Sequence, residues 1–186
     1  VHHWQLRQAH IVELIEAVRN ENTDLIVVAI NVTGNWMVPQ VQAGAVDKTA
    51  QTLSEIYPEN AAHYQTRAET RTQAILAKGE EVKSRLQQAG VAGVNVLCAE
   101  MQVGFVRWAG FNITANFTRP EHLTPARVQE LIDIGNRTGV ALVIDNLQSG
   151  DIRLGPSICE SINAIPVTIS NFPGGLENTE TWEKAI

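Results

Sequence analysis

Side chains able to bind or react are sparse in this chain, and they gather where strands are expected to end. Three pairs stand out: Ala99–Glu100, Asp145–Asn146 and Ser170–Asn171 each close an apolar run that reads as a buried strand. A parallel sheet offers its ligand site beyond the C-terminal ends of its strands. Glu100, Asp145, Asn146, Ser170 and Asn171 are therefore the residues this pattern singles out. Glu100 and Asp145 bring carboxylates that suit a cation, while Asn146, Ser170 and Asn171 bring neutral oxygens. Each carboxylate also has a plain structural use. Glu100 would sit at the positive end of a following helix, and Asp145 would cap the turn after its strand.

Chemistry of other kinds has little support. There is no Gly-x-Gly-x-x-Gly or Walker-type phosphate loop, no Gly-x-Ser-x-Gly elbow, and neither Cys98 nor Cys159 lies in a nucleophile setting. Gly104, Gly110, Gly174 and Gly175 are too scattered to cradle a phosphate. His10, His63 and His122 have no Cys or carboxylate at ligand spacing and read as structural. Arg107 and Trp108 are adjacent, but surface and core roles account for them. The two cysteines have sixty residues between them and fit either a disulfide in an oxidising compartment or two buried thiols. Four Asn-X-Ser/Thr acceptors, at Asn31, Asn112, Asn116 and Asn136, hint at export.

The elements that must position these residues fall into three parts: 1–57, 58–91 and 92–186. Residues 5–19 read as a helix, with Leu6, His10, Ile11, Leu14, Ile15 and Val18 at helical spacing. Leu25–Ile30 is continuous in apolar residues, as buried parallel strands are. A loop with Gly34, Trp36 and Pro39 leads into a helix ending near Ile56. Tyr57-Pro58 then resets the backbone, and Pro58 suits the first turn of a helix running to about residue 89. That long helix is rich in Ala, Glu, Gln, Lys and Arg, carries a thin apolar stripe without sustained heptads, and is closed by Gly90 and Gly93. A helix of that length in so short a chain is expected to link two bodies.

From residue 92 a strand–helix rhythm sets in. Strands are expected at 94–98, 112–117, 140–144 and 166–169, and helices at 100–109, 124–137 and 155–163, with Thr124-Pro125 as the cap and first turn of the second. The rhythm predicts an α/β fold: two small α/β lobes with parallel sheets joined by one long linking helix.

Composition narrows the class further. The 186 residues are 44% hydrophobic, enough for one good core or two small ones. The net charge of −6 and the absence of a Lys/Arg cluster argue against nucleic acid and against an anionic membrane surface. No apolar run approaches the ~20 residues of a membrane-spanning helix. Val1-His2-His3-Trp4 opens mid-pattern rather than with a secretory signal.

Read in order, several segments resemble the solute-binding receptors of zinc and manganese ABC importers, the helical-backbone metal receptors. The segments are YPENAAHY at the start of the long helix, GNWMVP at 34–39, AEMQVGFVRWAGF at 99–111, TRPEHLTPARVQELIDI at the crossover helix, ALVIDNLQSGD after it and VTISNFPGG at 167–175. The resemblance implies an exported, periplasmic or cell-surface receptor, not an enzyme. It would bind a divalent metal such as Zn²⁺ or Mn²⁺ as cargo between two lobes, as a monomer, and deliver it to an ABC permease. A membrane would be met only through an anchor outside these residues. The resemblance also implies that the family's first β/α units would lie before Val1 and its last helix beyond Ile186.

The ligand positions implied by the resemblance are where this chain departs from the pattern. The family presents three or four converging His and carboxylate groups. Here the first-loop His falls on Gly34 or Asn35, the next ligand on Ala99 or Glu100, and the terminal Asp on Asn171. Glu100 is then the one strong donor among these, too few for a tight zinc site. The same comparison makes His2 and His3 candidate contacts at a cleft rim, with Asn171 and Asp145 completing the candidate metal set. Asn35, Trp36, Asn146 and Ser170 are the expected cleft lining. A metal chelate or small organic solute held by Trp36, Trp108 and polar side chains is the alternative cargo; an α/β enzyme or a surface adhesin is the alternative from another class.

Overall fold

The computed structural model describes residues 5–150 and 154–186. The chain folds as two compact units: the segment up to Thr33 with Gln40–Leu76, and Gly34–Pro39 with Ala77–Ile186. The short loop 34–39 thus belongs with the C-terminal unit, although it lies far from the rest of that unit in sequence.

In the first unit, a 3-10 turn at Gln5–Arg7 precedes α1 (Ala9–Glu21). Helix α2 (Pro39–Ile56) begins with proline in its first turn, where a missing N–H costs nothing. After Tyr57, a 3-10 turn at Pro58–Asn60 leads into α3 (Ala61–Gln88), 28 residues long. The long helix is therefore present, with its first turn tightened; the boundary between the units falls inside it, after Leu76. Thr72 of α3 donates to the Asp47 carboxylate of α2 at 2.9 Å. The strand expected at Leu25–Ile30 differs. Among the described residues this stretch forms no ladder; Ile30 alone makes an isolated bridge, and Ile26 is 58% exposed.

The second unit is a doubly wound α/β body. Its strands are β1 (Asn95–Ala99), β2 (Asn112–Phe117), β3 (Leu142–Asn146) and β4 (Ile165–Ile169). They form one parallel sheet in the order β2-β1-β3-β4. The connecting helices are α4 (Val103–Ala109), α5 (Pro125–Thr138) and α6 (Leu154–Ile162), and a short α7 (Trp182–Ala185) follows the sheet. Side chains alternate across each strand. Leu97, Ala99, Phe117 and Val143 pack with Leu131 of α5 and with Ile158 and Cys159 of α6. Val96, Cys98 and Ile144 pack on the other face with Val106 of α4. Cys98 and Cys159 are free, and they lie on opposite faces of the sheet.

Local signals set the ends of these elements. Thr124 caps α5 by accepting from the Arg127 amide at 3.2 Å, and Gly139 closes it in the left-handed conformation. Gly110 closes α4 in the same way. Strand order reverses direction between β1 and β3. Such a switch point is where ligands of open parallel sheets bind, and polar residues gather there, just beyond the C-terminal strand ends.

Candidate functional site

Four carboxamides from four separate segments converge at the switch point. Gln102, in the 3-10 turn Glu100–Gln102 after β1, is fully buried and donates through Nε2 to Asn146 Oδ1 at 3.0 Å. Asn146 ends β3, is 2% exposed, and accepts a second bond on the same oxygen from Asn171 Nδ2 at 3.0 Å. Asn171 lies just beyond β4, and its own Oδ1 accepts from Asn35 Nδ2 at 3.1 Å. Asn35 closes the ring by donating to Gln102 Oε1 at 3.3 Å. A neighbouring shell holds this ring in place. Asn146 Nδ2 donates to Ser149 Oγ, Gln148 Oε1 accepts from the Asn171 amide, and Gln148 Nε2 donates to Ser170 Oγ at 2.8 Å.

Loop 34–39 is fastened to this body at several points. Gly34 takes φ 120°, a value that suits glycine, and turns the chain so that Asn35 faces Gly104 of α4. A Cβ on Gly104 would stand 3.3 Å from Asn35 Cβ, so the approach is close. Asn35 also donates to the Met101 carbonyl at 3.0 Å, and its Oδ1 accepts from the Met37 amide at 2.8 Å. The Trp36 carbonyl accepts from the Trp182 indole at 3.0 Å. Met37 is buried, and Pro39 packs against Gly79 of α3.

The residues singled out by sequence divide clearly. Asn35, Asn146 and Asn171 are brought together in the ring, with Ser170 in the shell and Trp36 anchored beside it through its backbone. Glu100 is exposed, and its carboxylate accepts from Thr118 Oγ1 at 3.1 Å, just past the C-terminal end of the outer strand β2. Asp145 is buried on the opposite sheet face from Asn146, where its Oδ2 accepts from the Gly155 amide in the first turn of α6 at 2.9 Å. A Cβ on Gly155 would collide with that oxygen, so glycine permits the cap. Asp145 thus caps α6 rather than the turn directly after its strand, and Glu100 opens a 3-10 turn with its carboxylate on Thr118. His2 and His3 lie outside the described residues. Among the described residues, no group of three or more His, Cys, Asp and Glu side chains is placed to hold a metal ion.

Sequence reasoning missed Gln102 and Gln148. A search for ligands looks for imidazole, thiol and carboxylate, and a glutamine carries no such signal. The topology supplies one, because Gln102 follows β1 and Asn146 ends β3, the two strands that flank the switch point.

Comparison with known proteins gives this arrangement its context. A family model described as "Zinc-uptake complex component A periplasmic" matches residues 33–182. The chain belongs to this family. Its members are periplasmic solute-binding proteins rather than enzymes. No curated relative matches the sequence. Among solved structures, the periplasmic metal binding protein from Candidatus Liberibacter asiaticus is similar at 14% identity and TM-score 0.70, covering 94% of this chain and 73% of that one. A metal-free mutant of the same protein is similar at 13% identity and TM-score 0.67, covering 89% of this chain and 62% of that one. The SBP FpvC from Pseudomonas aeruginosa in complex with Ni²⁺ is similar at 16% identity and TM-score 0.67, covering 88% and 62%. The chain therefore spans 62% of the length of some of the structures it resembles. At these identities the likeness is one of fold, and the long helix and parallel sheet are what is shared.

Proposed function

We propose that this chain is the solute-binding receptor of an ABC importer, working outside the cytoplasm and handing a divalent metal ion to a permease. Family membership over 33–182 is the observation that carries this reading. Mn²⁺-bound and Ni²⁺-bound proteins among the fold relatives point to the same class of cargo. The carboxamide ring at the switch point is where the cargo would be met. Its donors are neutral oxygens, which suit a hard ion such as Mn²⁺ and give Zn²⁺ none of the imidazole or thiolate that it favours.

Isothermal titration of the full-length protein with Mn²⁺ and Zn²⁺ tests this. Oxygen sites with little ligand charge bind with Kd on the order of 10⁻⁵–10⁻³ M. Both ions are expected in that range, with Zn²⁺ gaining no more than about tenfold over Mn²⁺. Nanomolar Zn²⁺ with far weaker Mn²⁺ would contradict the oxygen-donor site. No heat with any divalent ion would remove the metal from the reading.

A second reading draws on a specific feature. Met101 and Phe172, each next to a ring residue in sequence, are 50% and 57% exposed. A neutral hydrogen-bonding floor beside exposed apolar side chains suits a metal chelate or a small organic solute. Such cargo would bind where bare ions fail in the same titration.

A further inference from the structure

The orientation of one side chain suggests how the ring admits its cargo. Asn35 Oδ1 accepts from the Met37 amide, and this bond fixes which end of the carboxamide faces inward. Its Nδ2 then lies among three oxygens: Met101 O at 3.0 Å, Gln102 Oε1 at 3.3 Å and Asn171 Oδ1 at 3.1 Å. An amide NH₂ has two hydrogens and carries partial positive charge, so three acceptors around it form a nest suited to a cation. Two of the oxygens come from the 3-10 turn Glu100–Gln102 and the third from the segment after β4, and they include one main-chain carbonyl, a mixed oxygen set of the kind hard divalent ions accept.

The hydrogen bonds that fix the nest are independent of any cargo. Gln102 Nε2 donates to Asn146 Oδ1, which turns Oε1 toward Asn35. Asn171 Nδ2 donates to the same Asn146 oxygen, which turns Oδ1 toward Asn35. Asn146 is thus the common anchor that aims two oxygens at one point. The Met101 carbonyl belongs to the turn between β1 and α4.

We propose that Asn35 is an internal plug: its amide nitrogen occupies the nest, and a hard divalent cation binds there only when that nitrogen withdraws. The inference rests on the reading of a metal as cargo, and it reverses the role that reading would give Asn35. As a ligand, Asn35 would add affinity through its oxygen. As a plug, it competes with the ion.

Mn²⁺ titration of the full-length protein, its Asn35→Ala variant and its Asn35→Asp variant separates the two. Alanine removes the competing nitrogen. Aspartate keeps an oxygen for the Met37 amide and turns a second oxygen toward the nest. The plug predicts that Asn35→Ala binds Mn²⁺ at least threefold more tightly than wild type and Asn35→Asp at least tenfold. Hydrogen exchange at Met37 and at Val143–Asn146 checks that loop and sheet remain ordered; if alanine frees the loop, Asn35→Ser decides, because its hydroxyl can accept the Met37 amide without supplying the nitrogen. To separate the plug from added charge, Ser149→Asp puts a carboxylate near Asn146 but outside the nest, and it should gain less than Asn35→Asp. Weaker binding by Asn35→Ala with an ordered loop would make Asn35 a ligand and overturn the plug, leaving the metal reading intact. Equal gains from Ser149→Asp and Asn35→Asp, without any gain in Asn35→Ala, would also overturn it. Binding in the variants but none in wild type would support the plug and remove bare metal as wild-type cargo. No binding in any of them would overturn both.

Discussion

Two neighbouring residues, Asp145 and Asn146, show how a strand end sends adjacent side chains to different partners. They point to opposite faces of the sheet. Asp145 faces α6 and accepts the Gly155 amide, one of the donors a helix leaves unpaired at its N-terminus. Asn146 faces the ring and accepts from Gln102 and Asn171. Asp145→Ala is expected to lower stability by about 1.5–3 kcal/mol, the range for losing a hydrogen bond to a charged group, without moving Mn²⁺ affinity more than about twofold. Urea unfolding and ion titration of the same variant check both halves. Loss of ion binding with intact stability would put Asp145 in the site. The sequence pointed to both residues because both end a strand, but not to which face each would occupy. The face depends on which neighbouring strand and helix pack there.

Elements were more legible than contacts. The strand–helix rhythm after residue 92 carried through to four parallel strands, and Thr124-Pro125 opened α5 as its residue types require. Loop 34–39 was legible as a loop, but its docking on the C-terminal unit was not. Beside its hydrogen bonds, that docking includes a packing contact with no local signature: Pro39 presses against Gly79 of α3. A Cβ on Gly79 would stand 2.6 Å from Pro39 Cγ. Helix propensity alone favours alanine over glycine by about 1 kcal/mol. Overpacking at a close contact costs about 1–3 kcal/mol, so the clash should win. Gly79→Ala is therefore expected to lower the melting temperature, and raised stability would contradict the contact. The strand expected at 25–30 shows only a bridge at Ile30 among the described residues.

At the scale of the whole molecule, the two thiols give stability a predictable dependence on pH. Burial pushes Cys98 up to about 12, with the nearby Asp145 charge adding to the shift. Cys159 is also raised, chiefly by burial. An unfolded thiol ionises near 8.5. Below that pH, both states hold the proton and these thiols leave stability unchanged. Above it, the unfolded chain releases protons that the native state retains, so stability falls as pH rises. For Cys98 the slope approaches about 1.4 kcal/mol per pH unit between roughly 9 and its folded value. Urea midpoints from pH 8 to 10.5 should fall in wild type and fall less in Cys98→Ser, compared as slopes because serine alters the core. Equal slopes would contradict the buried thiol. The same burial predicts that an aromatic disulfide reagent labels neither cysteine at pH 8 until the protein unfolds.

The central claim is that a receptor of this family meets its cargo on a ring of neutral carboxamides. Anomalous scattering from crystals of the full-length protein soaked in Mn²⁺ tests it most directly. The account predicts a manganese peak within coordinating distance of Met101 O, Gln102 Oε1 and Asn171 Oδ1, with the Asn35 amide displaced from them. A manganese peak held elsewhere, with Asn35 still bonded to those three oxygens, would contradict it.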